Sequence, residues 1–562
     1  MVAHSNISSM LKRNWLDHLW FWLSLLVPLY FGLVSLHYAL SQAYLVQDDA
    51  RLHIVWLQQW MDPELFPQDG IARYYQTIQA GGFKTLYWSM AQLGIEPLRL
   101  AKLLPTLLAL ITTVYLFQFS LALLPVPAAA FLATLLLNQN IWFKDDLISA
   151  TPRAFVYPLL AAFLYYLVRR RFACCLVLIA LTGWVYPQLV LVELGLIVLQ
   201  RRIDWGLLAV GVAVLVILPY QQQVAQEFGA LLSAAEMQQM PEFGPQGRRE
   251  YFGVDPLSFA LRGASGLRLP LFPPILWIGV VLPFLRWRSE GDLPDAPKLR
   301  PLAELLLVSL TLFLLAHLLF PRLYLPSRYT FYSLRIGMAV AAGMVLFRIL
   351  EAGWCWWRRK MQFRVSDWVK LGLALLGIAV ITVVPALPPL FLSGQGWISG
   401  EYLQLYRFLQ QQPKASLIAS LTPEADNLPA FTLRSVLVSR ELVLAYHPAF
   451  YQLMQQRIVD LVRAQYSPNL SETQALLNRY GIDFLVLDQQ FAQPDYLLQQ
   501  DWLIHSSFQD QIDATIARLQ QGETPALKRV QEDCTVLSED NLSILDVGCL
   551  NKLQSENVRS TG

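Results

Sequence analysis

The chain has 562 residues; 55% are hydrophobic, only 15% are charged, and the mean hydropathy is +0.40. A soluble protein carries roughly 25% charged residues, so this composition excludes an ordinary soluble globule and makes lipid the solvent for much of the chain. A formal net charge of +2, with no basic low-complexity tail, leaves no electrostatic footprint for nucleic acid.

Taken in order, the chain opens on "MVAHSNISSMLKRNW", a basic stretch before an apolar run. The run from about 18 to 40 is longer than a signal-peptide core of ~7–15 residues, and no small-residue cleavage site follows it. It reads as an uncleaved first membrane helix. Further runs near the ~20 residues that span a bilayer lie near 103–123, 125–143, 154–168, 205–221, 271–286, 301–320, 330–350 and 369–393. The stretch 172–200 lies between Arg169–Arg171 and Arg201–Arg202. Two basic clusters on one side require the chain to go out and return, so it reads as two short helices turning near Trp184, Tyr186 and Pro187. The sum is an α-helical polytopic membrane protein of about eleven transmembrane helices.

Lys and Arg in short loops set orientation. With a cytoplasmic N-terminus, the inside loops carry Lys12, Arg13, the two arginine clusters, the loop 286–300 and "WWRRKMQFR" at 356–364. The long loops 41–102 and 222–270 and everything after about 394 then lie outside. The expected division is a membrane domain, 1–393, and an extracytoplasmic soluble α/β domain, 394–562, in a cell inner membrane. In the second part "KASLIAS", "RSVLVSRELVLAY" and "IDFLVLD" read as strands and "SETQALLNRY" as a helix. Cys534 and Cys549 both fall there, where an oxidising compartment permits a disulfide; two unpaired buried thiols are the alternative.

Two acidic pairs stand at the starts of outer loops. Asp48 and Asp49 follow the first span in "QDDARLH", and Asp145 and Asp146 follow the third in "FKDDL". The first pair has a simple reading as a helix cap, with Leu52, Val55, Trp56 and Trp60 forming an apolar face that lies flat on the membrane. A second pair at the same depth exceeds what capping explains. Carboxylates converging there can bind a divalent cation, Mg or Mn, through oxygen, or one can act as general base on an acceptor hydroxyl. His53, four residues after Asp49, shares its helix face. Arg248 and Arg249 in "EFGPQGRREYF", Arg328 in "LPSRYT" and Arg153 in "SATPRAF" are candidates to hold a lipid phosphate, or else to snorkel to headgroups. Glu193 is an acid within a span, a functional candidate unless it pairs with a neighbouring helix.

This layout resembles the GT-C superfamily of polytopic glycosyltransferases over nearly the whole chain. The resemblance implies an acidic residue of the first outer loop as catalytic base (Asp48 or Asp49), and Asp145 and Asp146 as metal or acceptor ligands. It also implies a polyprenyl-phosphate-type sugar donor and a glycan, lipid or protein acceptor. The second loop has Asp-Asp where the family has Asp-x-Asp or Asp-x-Glu, and WWDYG is absent, which leaves the metal requirement open. A non-catalytic member of the fold that binds a lipid-linked glycan, and a transporter or flippase, are the rival readings. No Walker motif, strand-borne GxGxxG, HExxH or GxSxG is present.

Overall fold

The computed structural model describes residues 2–253, 255–285, 298–359 and 365–560. The basic segments 286–297 and 360–364, part of the orientation argument, lie outside the described residues.

Among the described residues, five helices are long and apolar enough to cross a membrane: His18–Ala39, Pro97–Leu123, Ile203–Phe228, Arg300–Leu318 and Ser327–Arg358. The other apolar runs form shorter helices, among them Pro127–Ile141, Val156–Val168, Phe172–Val185 and Val190–Leu199. Proline opens several of these helices at their first position, where its missing N–H is not needed. The turn within 172–200 falls at Tyr186 and Pro187.

The bundle packs tightly where its side chains are small. Ser327–Arg359 lies against Pro127–Ile141, and a Cβ placed on Gly343 would come within 2.6 Å of the Ala133 backbone nitrogen. Between helices in lipid, close backbone approach replaces the hydrophobic drive. Trp142 is fully buried beside Phe31 of the first helix, and Glu193 is fully buried with its Oε1 accepting from Thr182 Oγ1 at 2.9 Å. Glu193 thus pairs with a neighbouring helix.

The first loop is folded into the protein. Asp48–His53 is one short α-helix and Val55–Trp60 a 3-10 turn. Leu52, Val55 and Trp56 are buried, and Trp56 packs edge-on against Phe66 at 5.0 Å. The expected apolar face therefore meets protein rather than lipid. Aromatic residues from 66 to 87 supply a competing surface, and burying each large side chain there is worth about 2–3 kcal/mol.

The C-terminal α/β region follows a ribbon. β1 (Leu45–Gln47) pairs antiparallel with β2 (Trp397–Ser399), so the first loop and the entry to this region share backbone bonds. The main sheet has β3 (Leu417–Ala419), β4 (Ser435–Val436), β5 (Phe484–Asp488), β6 (Thr535–Glu539) and β7 (Leu542–Asp546) in the order β4-β3-β5-β7-β6. β3 runs parallel to β4 and β5, while β7 runs antiparallel to β5 and β6. "RSVLVSRELVLAY" gives only the two-residue β4. It is an edge strand beside a three-residue partner, and the chain turns away where Ser439 Oγ accepts from Leu442 N. A disulfide joins Cys534 to Cys549 across the hairpin's base, with Cα atoms 5.5 Å apart.

Candidate active site

Capping of the first helix is done by Gln47, whose side-chain oxygen accepts from Ala50 N at 3.1 Å. Asp48 and Asp49 occupy the first helical turn and are free for other contacts. Asp48 Oδ1 takes both Nε and Nη2 of Arg51, at 3.0 and 2.7 Å. Its side chain is 42% exposed, and Oδ2 takes no hydrogen bond from the described residues. Asp49 pairs with Arg153, and the same Arg153 Nη2 lies 3.2 Å from Asp145 Oδ2. One guanidinium therefore joins the two acidic pairs.

Gly396 completes this convergence. Its carbonyl accepts from Asp48 N at 2.9 Å, and its φ of +69° is a conformation glycine adopts without strain. A Cβ built on it would lie 3.6 Å from the Asp145 Cβ and 3.7 Å from that of Asp48. Gln395 fixes the segment: its amide donates to the Trp142 carbonyl at 3.1 Å and accepts from Ser35 and Trp397.

Asp146 goes elsewhere. It is fully buried, accepts from the Tyr157 hydroxyl, and receives Arg335 Nη1 at 3.1 and 3.3 Å. Arg335 in turn stacks 3.5 Å over the Phe331 ring. Adjacent residues at a helix start point in different directions, so only Asp145 opens toward the first loop. Asp146 is thus withdrawn from the acceptor- or metal-binding place expected for it. Burial and the Asp146 carboxylate raise the pKa of Asp145, against the pull of Arg328 and Arg335. His53 also departs from expectation. Its Nδ1 meets Gln79 Nε2 at 2.9 Å, and burial followed by Arg249 lowers its pKa to about 4, with Asp48 acting the other way. It is a neutral ring at pH 7, bonded away from Asp49.

A cavity of ≈ 220 Å³ is lined by Arg248, Arg249, Arg268, Ser327 and Arg328 with Tyr251 and Tyr446, and its Arg268 and Arg328 act electrostatically on Asp145. Arg248 is held by Glu441 and by the Glu441 carbonyl at 3.3 Å, so its charge is matched. Arg249, Arg268 and Arg328 form no ion pair among the described residues. Nε and Nη1 of Arg328 are buried and find no acceptor among those residues. Burial and then Arg328 lower Arg268 to about 10, which leaves it charged. Arg268 was missed from sequence: it sits in "RGASGLRLP", where nothing but the fold brings it to Arg328.

The carboxylates do not fit a shared divalent cation as they are arranged. Arg153 stands between Asp49 and Asp145, Arg51 holds the inner oxygen of Asp48, and Arg335 takes both oxygens of Asp146. Among the described residues no group of three His, Cys, Asp or Glu gathers as a metal site. A hard cation takes six or more oxygens, waters and substrate phosphates among them, and a guanidinium lying between the carboxylates competes with it for theirs.

No protein-family model matches the chain, and no curated protein matches it in sequence. Solved structures do resemble it. The oligosaccharyltransferase of Archaeoglobus fulgidus, tethered to an acceptor peptide containing the NVT sequon, superposes with a TM-score of 0.48 at 13% identity. That match covers 87% of this chain and 72% of the other. The same enzyme in complex with Zn and sulfate gives 0.45 at 12% identity, over 87% and 70% of the two chains. ArnT from Cupriavidus metallidurans, bound to undecaprenyl phosphate, gives 0.49 at 12% identity, over 95% and 98%. Likeness at this level does not transfer an activity, so the chain's own residues must carry the functional reading.

Proposed function

We propose that this chain is a membrane glycosyltransferase of the GT-C type that moves a sugar from a polyprenyl-phosphate-type lipid to an acceptor hydroxyl. The observation that carries the reading is the buried, acceptor-less guanidinium of Arg328 in a cavity shared with Arg249 and Arg268, where Arg328 and Arg268 act on the charge of Asp145, which meets Asp48 across Gly396. A buried charged donor without a partner is costly, and a phosphate would supply the missing acceptors.

In the proposed reaction Asp48 Oδ2 takes the acceptor's hydroxyl proton. The acceptor oxygen attacks the anomeric carbon from the face opposite the phosphate. The bond from that carbon to the phosphate oxygen breaks, its electron pair stays on the phosphate, and configuration inverts. Arg249, Arg268 and Arg328 stabilise the developing charge, the kind of preorganised help that usually contributes most. The Asp49–Arg153–Asp145 bridge holds the two loops in register around the acceptor. No step requires a metal ion.

The test is Asp48→Asn in the purified chain reconstituted in nanodiscs, supplied with undecaprenyl-phosphate-linked sugars. Release of undecaprenyl phosphate should fall at least a hundredfold while binding of undecaprenyl phosphate is kept. Release at the wild-type rate would remove Asp48 from the chemistry.

The same reading places the C-terminal region on the non-cytoplasmic side, from the basic residues of the opposite loops and the Cys534–Cys549 disulfide. An alkaline phosphatase fusion after Gly562 should be active. An inactive one beside an active cytoplasmic reporter would reverse the orientation.

A further inference from the structure

Arg51 has two ends. One holds Asp48 Oδ1 through Nε and Nη2, and the other donates from Nη1 to Asn427 Oδ1 at 2.5 Å, 376 residues away in sequence. The Arg51 side chain is only 9% exposed, so these contacts are its main partners. Asn427 is itself oriented. Its Nδ2 donates to Glu424 Oε2 at 3.1 Å, and Glu424 Oε1 accepts from the Tyr406 hydroxyl at 2.7 Å. A guanidinium can only donate, so the amide oxygen must face it, which leaves Nδ2 to donate to Glu424. The preceding residue reaches the other half of the site: Asp426 Oδ1 accepts from Glu441 N at 2.9 Å, and Glu441 pairs with Arg248 at the cavity wall.

We propose that the turn 423–427 is a clamp by which the C-terminal region sets the active site, with Asn427 a positioning residue that fixes the direction of Asp48 through Arg51. The loops of the membrane part present Asp48 and Arg248 but do not by themselves fix them. Anchoring one oxygen of Asp48 by two bonds to a fixed guanidinium leaves the other oxygen aimed in one direction, as a general base requires. A carboxylate held only by a free arginine would share its two oxygens between rotamers. The inference rests on Asp48 doing chemistry, but its test does not depend on turnover.

Hydrogen exchange in the full-length chain in nanodiscs reads the clamp directly. Asn427→Ala should speed exchange of the backbone amides at 50–54 about tenfold while those of β5 stay protected. The paired variant Asn427→Asp with Glu424→Gln reverses the polarity of one hydrogen bond and keeps an acceptor facing Arg51. It should restore protection at 50–54 to near the wild-type level. Unchanged exchange at 50–54 in Asn427→Ala, or equal loosening there and in β5, overturns the clamp. So does a paired variant that protects β5 but not 50–54. A fully active Asp48→Asn would sink the proposed chemistry and leave the exchange result standing, so the two failures are distinguishable.

Discussion

Asp49 and Asp145, nearly a hundred residues apart in sequence, share the guanidinium of Arg153, which pairs with the first and stands 3.2 Å from the second. Two carboxylates facing one opening repel unless a positive charge lies between them. Here a side chain supplies it.

That arrangement predicts how the protein responds to metal. In the wild-type chain EDTA should leave transfer unchanged, because Arg153 occupies the bridging position. Arg153→Ser should abolish most transfer and at the same time create affinity for Mn²⁺, detectable as a slowed, broadened Mn²⁺ resonance signal in titrations of the purified variant. Complete loss of wild-type activity in EDTA, restored by Mg²⁺ or Mn²⁺, would contradict this role for Arg153.

Asp146 should behave as a structural residue. Buried with Arg335 and Tyr157, it leaves an unpaired buried cation when removed, and breaking such a pair typically costs about 3–5 kcal/mol. Asp146→Ala should therefore lower the unfolding temperature by many degrees in detergent. Arg335→Met together with Asp146→Leu should recover much of that loss. Asp145→Ala, by contrast, should leave the unfolding temperature within a few degrees of wild type and impair transfer. Equal destabilisation by both single alanine variants would contradict the distinction.

A pH effect follows from the turn 423–427. Burial chiefly raises Glu424 from 4.5 to about 7 and Asp426 from 3.8 to about 6. A carboxylate whose pKa is raised by folding binds its proton more tightly in the folded chain. Its contribution to stability is therefore fully present below the unfolded value and is lost as pH rises through the folded one. For Asp426 this is on the order of 2–3 kcal/mol between pH 4 and 8. His53 and His447, both lowered to about 4 chiefly by burial, act in the opposite sense, so the difference from a variant is the informative quantity. Asp426→Asn keeps the acceptor for Glu441 N and removes the titration. Its unfolding temperature relative to wild type should climb by a few degrees from pH 4 to pH 8, most steeply at about pH 5, midway between the unfolded and folded values. A flat difference would show that burial of Asp426 is relieved in solution.

Much of the helical architecture was legible because a membrane span leaves a long apolar run, and the turn at Tyr186 and Pro187 follows from the two flanking arginine clusters. The 19-residue helix Pro448–Tyr466 was not read from the sequence, because polar residues interrupt the helical spacing of Phe450, Met454, Ile458 and Leu461. The placement of Asp48, Asp49 and Asp145 at one opening could be argued from topology alone. What separates Asp145 from Asp146 could not, since it depends on Tyr157 and Arg335, which carry no local mark. The same holds for Arg268, Gly396 and Asn427, whose neighbours at the site lie far off in the chain. The fate of Trp56 shows the general limit. An amphipathic pattern states that one face leaves water, and does not state whether lipid or protein receives it.

The central claim, that a lipid phosphate binds among Arg249, Arg268 and Arg328, is tested most directly by native mass spectrometry of the full-length chain with undecaprenyl phosphate. Wild type and Asp48→Asn should bind it with similar affinity. Arg328→Ala should weaken binding about ten- to a hundredfold, since a buried charge-assisted contact is lost, and Arg268→Ala should weaken it less. Undecaprenyl phosphate bound equally well by wild type and by the Arg328→Ala, Arg268→Ala double variant would contradict the account.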